Sequence, residues 1–180
     1  MRVWIGLFAA AIAVACSTAS AANNSGRWMV DFTEDKGSIY AETINDSGAV
    51  LGEWCNISSK QCYWMIATDT ACEKDHTYPV LANADAGASE IGIVCRGKVD
   101  DTNMYAYVFD KWKDLEGLLK NSKRIGFAVP MQSDQFRVYR FNLDGALEAS
   151  SKAEAVLSKI TEEKGRASTT TGSGTATETL

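Results

Sequence analysis

The stretch EWCNISSKQCYW, residues 53–64, contains two cysteines separated by six residues, with a tryptophan close outside each one. Cys55 ends one apolar run and Cys62 begins the next, and the link NISSKQ between them is rich in polar residues. This pattern predicts a β-hairpin that places the two cysteines side by side, within reach of a cross-strand disulfide. We therefore expect an antiparallel β architecture around this segment.

Similar short runs of β-branched and aromatic residues recur along the chain, separated about every ten residues by clusters of Gly, Asn, Asp and Ser. This spacing is typical of an antiparallel sandwich or barrel. The last run, QFRVYRFN, carries aromatic residues on both faces, so we expect it to be a central strand. The predicted strands are 27–33, 37–44, 49–55, 61–68, 78–82, 90–96, 103–109, 124–130 and 135–142.

Two helices are predicted among these strands. The segment KWKDLEGLLKNS, 111–122, has apolar residues at helical spacing, and Asp110 is placed to cap its free N–H groups. The second helix runs from about Gly145 to Lys164 and has a thin apolar stripe. The stripe consists of Leu147, Val156, Leu157 and Ile160. The predicted fold class is all-β, an antiparallel β-sandwich with one short inserted helix and a C-terminal helix.

The N-terminal segment, residues 1–21, has the features of a secretory signal peptide. Arg2 is followed by an apolar run and then by small residues that favour cleavage before Ala22. The run is shorter than the roughly 20 residues that span a bilayer, so we expect no transmembrane segment. The alternative is a lipid anchor at Cys16, because AVAC (13–16) is similar to a lipoprotein cleavage box. Both interpretations predict an exported protein, either periplasmic or secreted.

The mature chain is predicted to form a single domain, residues 22–164, followed by a disordered Gly/Ser/Thr tail, residues 165–180. Removal of the signal peptide takes away one basic residue and leaves a net charge of −6. This charge opposes general binding to phosphate backbones, which depends on clustered Lys and Arg. We therefore expect no nucleic-acid partner.

Four cysteines remain in the mature chain: Cys55, Cys62, Cys72 and Cys95. An even number in an exported protein indicates disulfides, and four cysteines allow three pairings. The hairpin favours Cys55 with Cys62, which leaves Cys72 with Cys95. The spacings match neither a zinc site nor a C-x-x-C redox pair, so we expect no metal and no cofactor.

His76 is the single histidine and therefore limits the catalytic options. It lies in a predicted loop near Glu73 and Asp75, without a G-x-S-x-G turn elsewhere in the chain. We assign no catalytic residue, and the alternative is a secreted hydrolase that uses His76 and loop carboxylates. The acidic segment NADAGASE, 83–90, lacks the flanking helices and the terminal acid of a calcium-binding EF-hand.

The C-terminal third of the domain has a characteristic order of features: a leucine-containing helix, a basic residue, an aromatic-rich strand, and a turn of an apolar residue, Gly and Ala. With an early Trp28 and a cysteine-bearing middle, the chain resembles the invasion-associated locus B family of small exported bacterial proteins. Ala146 stands where that family prefers an aromatic residue, and no cysteine follows Trp28 closely. The residues that carry the resemblance are Leu115, Leu118, Leu119, Arg124, Phe127, Leu143, Gly145 and Ala146.

The resemblance implies a periplasmic or surface β-sandwich linked to host-cell interaction, with no catalytic residues to carry over. The leading functional hypothesis is therefore an exported, non-enzymatic binding or interaction protein with an unknown protein or envelope partner. Exposed aromatic residues would supply its contact surface, since Trp and Tyr are enriched at interface hot spots. The candidates are Trp54, Trp64 and Trp112, and we expect most of them to fill the core instead.

Overall fold

The structure, a computed structural model, describes residues 27–131 and 135–170. Nine strands and two helices follow one another along this part of the chain. The predicted signal peptide and Cys16 lie outside the described residues. The elements are β1 (Met29–Phe32), β2 (Ser38–Ile44), β3 (Val50–Asn56), β4 (Gln61–Thr68), β5 (Thr77–Ala84), β6 (Gly87–Lys98), β7 (Tyr105–Phe109), α1 (Trp112–Lys120), β8 (Arg124–Pro130), β9 (Phe136–Asn142) and α2 (Ala146–Thr170).

All nine strands belong to one antiparallel sheet with the order β1-β2-β3-β4-β7-β6-β5-β8-β9. Strands β1 to β4 form a meander, in which each strand pairs with the next. Strand β5 lies between β6 and β8, so the second half of the sheet is assembled from strands that are distant in sequence. The all-β class, the short inserted helix and the C-terminal helix are confirmed.

The sheet is strongly curled, which brings its two ends together. The indole Nε1 of Trp28, just before β1, donates to the carbonyl of Asn142 in β9 at 3.0 Å. The amide Nδ2 of Asn45, after β2, donates to the carbonyl of Arg140 at 3.2 Å. Two halves of one continuous sheet therefore enclose the core, which is how this chain builds its sandwich.

The core lies on the concave face of the curled sheet. Paired residues of neighbouring antiparallel strands point to the same face, and Ile66 of β4 pairs with Tyr107 of β7. Phe127 of β8 contacts Phe109 and Phe141, with ring centroids 5.1 Å and 6.2 Å apart. All of these side chains are buried. The hydrophobic alternation of the strands thus accounts for the main core.

Helix α1 covers one part of this concave face through the buried side chains of Leu115 and Leu119. The expectation that Asp110 caps it is wrong, because Lys111 occupies the N-cap position and makes no side-chain capping bond. The carboxyl group of Asp110 instead lies over Gly92 of β6, in the space that a β-carbon would occupy. Asp110 therefore packs against β6 and does not cap α1.

Helix α2 packs along β1, β2 and β3. Three of the four predicted stripe residues lie in this contact, since Leu157 is buried and Val156 and Ile160 pack against the same apolar cluster. Leu147 is 40% exposed, whereas Ala149, Ala153 and Leu157 are buried against Ile39 and the neighbouring apolar side chains of the sheet. Small residues allow the helix to approach the strands closely, which hydropathy patterns alone underestimate. The helix ends at Thr170, beyond the boundary expected at residue 164. No helix in the described residues combines the length and apolar character that a membrane crossing requires.

Candidate functional site

An apolar row lies on the outer face of β5, β8 and β9. Leu81 pairs with Ala128, and Ala128 pairs with Val138, so the three side chains stand next to one another on the same face. Leu81 is 51% exposed and Val138 is 45% exposed. Solvent-exposed aliphatic side chains that adjoin across three strands form a contiguous patch, and such patches mark interaction sites.

A second row beside the first gives this patch its concave shape. Asn83, Gly126 and Arg140 are register partners one step along the same three strands. Strand β8 therefore contributes only the short side chain of Ala128 and the bare backbone of Gly126 as a floor. The longer side chains of β5 and β9 form the walls of a pocket of about 550 Å³. We call this pocket, together with the apolar row, the β8 groove.

The rim of the β8 groove is mainly basic. Arg124 and Arg140 line it together with one acid, Asp85. The Nη2 atom of Arg124 is 3.9 Å from Oδ1 of Asp85, and this arginine side chain is 82% exposed, so the pair contributes little to stability. Asp85 Oδ2 accepts the backbone N–H groups of Lys123 and Arg124 at 2.9 Å and 3.1 Å. Asp85 therefore holds the chain where it enters β8.

Strand β9 is fixed from its inner side by a hydrogen-bond network. The hydroxyl of Tyr139 donates to Asp69 Oδ1 at 2.5 Å and shares a bond of 2.7 Å with the hydroxyl of Thr70. The hydroxyl of Tyr107 donates to the Thr70 carbonyl at 2.7 Å. The hydrogen bonds from Tyr139 and Arg137 hold the pKa of Asp69 below its usual value. The network anchors β9 and leaves its outer face free to form the groove wall.

A different kind of site lies beneath α2. Glu53 of β3 is only 6% exposed and faces Ser150 and Glu154 of the helix. Burial raises the pKa of Glu53 to about 7, and the negative charges of Glu154 and Glu116 add to the shift. Among the described residues, Glu53 Oε2, Ser150 Oγ and Thr43 Oγ1 have no hydrogen-bond partner. This region is a buried polar contact between helix and sheet.

Glu53 also lies close to the first disulfide. Its carboxylate oxygen and the sulfur atoms of Cys55 and Cys62 all lie within 4.8 Å of one another. The two sulfurs are bonded to each other, so they offer no thiolates to a metal ion. The close approach of these three side chains therefore results from packing under α2.

The disulfides join Cys55 to Cys62 and Cys72 to Cys95. Cys55 and Cys62 are direct register partners on β3 and β4, with Cα atoms 3.9 Å apart. The second disulfide ties the loop before β5 to β6, across a sequence separation of 23 residues. These are the pairs that the hairpin pattern favours.

His76 lies on the surface, away from the β8 groove. Its Nδ1 atom is 2.8 Å from Glu73 Oε2, and the two side chains are 64% and 67% exposed. Asp75 instead faces Arg96 at 3.5 Å, and Asp69 belongs to the Tyr139 network. Within residues 27–131 and 135–170, His76 thus pairs with the carboxylate of Glu73, whereas Asp75 and Asp69 bind other side chains.

The three candidate tryptophans occupy different environments. Trp64 is 4% exposed and contacts Trp28 edge-on in the core, with ring centroids 5.9 Å apart. Trp54 is half-buried and stacks on Tyr40. Trp112 is 45% exposed at the start of α1. Leu81 and Phe136 are more exposed than any of the three tryptophans, and Val138 is as exposed as Trp112.

The sequence interpretation of QFRVYRFN as a central strand is wrong, because β9 is the last strand in the sheet. Tyr139 and Phe141 face the core. Phe136 and Val138 face solvent and are 67% and 45% exposed, respectively. Aromatic residues on both faces indicated burial on both faces, yet here one face is a surface. The alternation of Phe136 and Val138 with arginine was the available signal for this groove wall.

Comparison with solved structures finds a similar fold. The crystal structure of invasion associated protein B from Bartonella henselae matches with a TM-score of 0.51 and 17% sequence identity. The match covers 73% of this chain and 94% of that chain. The resemblance inferred from the sequence is thus confirmed at the level of the fold. Comparisons with protein-family models and with curated protein sequences give no match.

Proposed function

We propose that this chain is an exported, non-enzymatic binding protein of the bacterial envelope that holds its partner in the β8 groove. The observation that carries the proposal is the exposed apolar row Leu81, Ala128 and Val138 at a concave, mainly basic site. Soluble domains rarely expose adjoining aliphatic side chains of this kind unless a partner covers them.

Two further observations support this proposal. Both disulfides fit an oxidising exported compartment. The similar structure carries the name of an invasion associated protein from a bacterium, which supports an envelope location and a role in host-cell interaction for this chain. Export is part of the proposal, with cleavage before Ala22 and an unmodified N-terminus. Intact-mass spectrometry of the protein from bacterial cells tests this step, because lipidated Cys16 as the first residue would contradict it.

Capture of envelope proteins by the mature chain tests the binding function. We expect Leu81→Asp to reduce recovery of the specific partner strongly, because a charge in the apolar row opposes desolvation. The matched control is Leu147→Asp, which changes a 40% exposed leucine on α2 to the same acid. Equal recovery with both variants, or loss with Leu147→Asp alone, would place the partner outside the β8 groove.

A further inference from the structure

The outer edge of β9 is the end of the sheet in the described residues. In an antiparallel pair, successive residues alternate between those that bond to the neighbouring strand and those whose backbone groups point away from it. The backbone groups that point away from β8 are available to another chain, unless the protein covers them. The question is which of them are covered.

The direction of the β9 backbone groups follows from two sets of contacts. The N–H of Met131 donates to the carbonyl of Gln135 and the N–H of Leu143 donates to the carbonyl of Lys123, so the odd-numbered residues face β8. The carbonyls of Arg140 and Asn142 accept side-chain donors from the opposite side. The even-numbered residues of β9 therefore direct their N–H and C=O groups outward, away from β8.

These contacts divide the edge into a covered half and an open half. Asn45 and Trp28 cover the carbonyls of Arg140 and Asn142, near the C-terminal end of β9. At the N-terminal end, the described side chains supply no such bond to Phe136 or Val138. Their side chains are 67% and 45% exposed, so both backbone and side chain are accessible there.

A strand placed beside this open half would continue the apolar row. Its alternate side chains would lie next to Val138, in line with Ala128 and Leu81. The added strand would thus gain main-chain hydrogen bonds from the edge and apolar contacts at every second residue. This combination is the recognition mode of β-strand addition.

The charges near the β9 edge indicate which kind of added strand it can bind. On the face that carries the apolar row, β9 contributes Arg140 and β8 contributes Arg124, whereas Arg137 lies on the inner face and is paired with Asp69. Pairing of β9 with β9 of a second copy would bring its arginines towards one another, and facing like charges are destabilising in a sheet. An acidic strand complements this edge instead.

We infer that β9 accepts an extended acidic segment of a partner protein by β-strand addition at Phe136–Val138, with the aliphatic side chains of that segment continuing the apolar row of the β8 groove. The inference rests on the proposed function, because it specifies how the groove is used. It identifies the ligand as a peptide with aliphatic residues next to Val138 and acidic residues next to Arg140, both on the same face of the added strand.

The test uses the full mature chain and a fluorescently labelled peptide in which Val and Glu occupy successive alternate positions, so that both lie on one face of the strand, with Thr between them. Fluorescence anisotropy should show saturable binding that weakens as salt rises, because the arginines contribute to it. A peptide with the same sequence and N-methyl groups on alternate backbone nitrogens should bind about tenfold more weakly, since it cannot form the main-chain bonds. Equal affinity for both peptides would overturn the inference.

Two variants at one position separate the backbone contribution from the side chain. Val138→Pro removes an N–H that points outward, so the β8–β9 pairing is retained, and edge strands tolerate proline at such positions. Val138→Ala shortens the side chain and keeps the N–H. We expect the proline variant to lose about tenfold in affinity and the alanine variant clearly less. An unchanged melting temperature confirms folding, and equal affinities of the two variants would contradict strand addition.

Two other outcomes distinguish this inference from the proposed function. If Leu81→Asp abolishes capture of the envelope partner while Val138→Pro and N-methylation have no effect on binding, the groove is used without strand addition. A dimer that forms with rising protein concentration and is lost in Val138→Pro would assign the edge to a second copy, and would overturn the acidic-peptide assignment. Analytical ultracentrifugation without peptide measures this directly.

Discussion

The surface of β1, β2 and β3 under α2 and the outer surface of β5, β8 and β9 use small residues in opposite ways. Under the helix, Ala41 of β2 and Ala153 of α2 are both fully buried, and they let the helix approach the sheet closely. In the β8 groove, Gly126 and Ala128 form a floor between exposed aliphatic walls. Small residues therefore mark a close packing contact in one region and a concave binding surface in the other.

The largest expected effect on the free energy of unfolding comes from placing the same charge in each of the two regions. Ala153→Asp puts a carboxylate into a fully buried contact, and we expect a loss of about 3–4 kcal/mol in the free energy of unfolding. Ala128→Asp places it in the open groove, where we expect a loss below about 1 kcal/mol. Urea denaturation measures both values, and similar losses would show that the groove is part of the core.

The second effect concerns the disulfides, one beneath α2 and one on the opposite half of the sheet. Replacing both Cys72 and Cys95 by alanine should cost about 3 kcal/mol, since this disulfide closes the longer loop. Replacing Cys55 and Cys62 should cost about 2.5 kcal/mol on the same loop-entropy argument. Thermal unfolding of the two double variants gives the ranking. The reverse order by a wide margin would show that packing under α2 outweighs loop closure.

A third expected effect is a pH dependence of stability that arises in the region under α2, because α2 buries Glu53 against the sheet. Its pKa is raised to about 7 in the folded state from an ordinary value near 4.5. The stabilisation from its protonated form is therefore complete below pH 4.5 and is lost as the pH rises through about 7. Glu53→Gln removes this loss, and we expect the variant to be more stable than the wild type by about 2 kcal/mol at pH 8.

The control for this effect is Glu148→Gln, which changes an exposed glutamate on the same helix. The unfolding free energies of both variants and the wild type should be measured between pH 4 and pH 8. Glu42 contributes in the same direction, because burial raises its pKa to about 7 as well. If Glu53→Gln follows the wild-type pH dependence as closely as Glu148→Gln does, the buried carboxyl does not govern the docking of α2.

The smallest expected effect on stability belongs to the groove wall. Leu81→Ser should change the free energy of unfolding by less than about 0.5 kcal/mol, because the side chain is half exposed and no described segment covers it. The same substitution should weaken partner binding, since it removes one wall of the apolar row. Stability comes from chemical denaturation and affinity from titration. A large loss of stability with unchanged binding would assign Leu81 to packing.

The parts of this fold that depend on local sequence were predictable. Short runs of β-branched and aromatic residues between turn-forming clusters indicated all nine strands, and the pattern around Cys55 and Cys62 indicated the β3–β4 hairpin. The β8 groove was not predictable, because β5 and β8 are neighbours in the sheet although β6, β7 and α1 separate them in sequence. Leu81 and Ala128 are unremarkable in isolation, and only their pairing makes them a site.

The burial of Glu53 escaped the sequence interpretation for a related reason. Alternation along a strand places Glu53 on the same face as Cys55, but a single acid between apolar residues gives no signal that a helix will cover that face. In the structure Glu53 and Cys55 share the face that α2 covers, while Trp54 points to the other side. Ala149 and Ala153 were not part of the predicted stripe of α2, because alanine carries little hydrophobic signal. The packing of α2 against the sheet therefore explains both the burial of Glu53 and the alanine contacts of the helix.

The most direct test of the binding surface is photo-crosslinking of the exported protein in bacterial cells. A photoreactive phenylalanine analogue is placed at Val138 in the groove wall and, separately, at Leu147 on the exposed side of α2. The two positions have similar exposure, 45% and 40%, so accidental contacts should label them equally. We predict a discrete crosslinked partner from position 138 and none from position 147. A partner at position 147 with none at position 138 would contradict the assignment of the β8 groove as the binding surface.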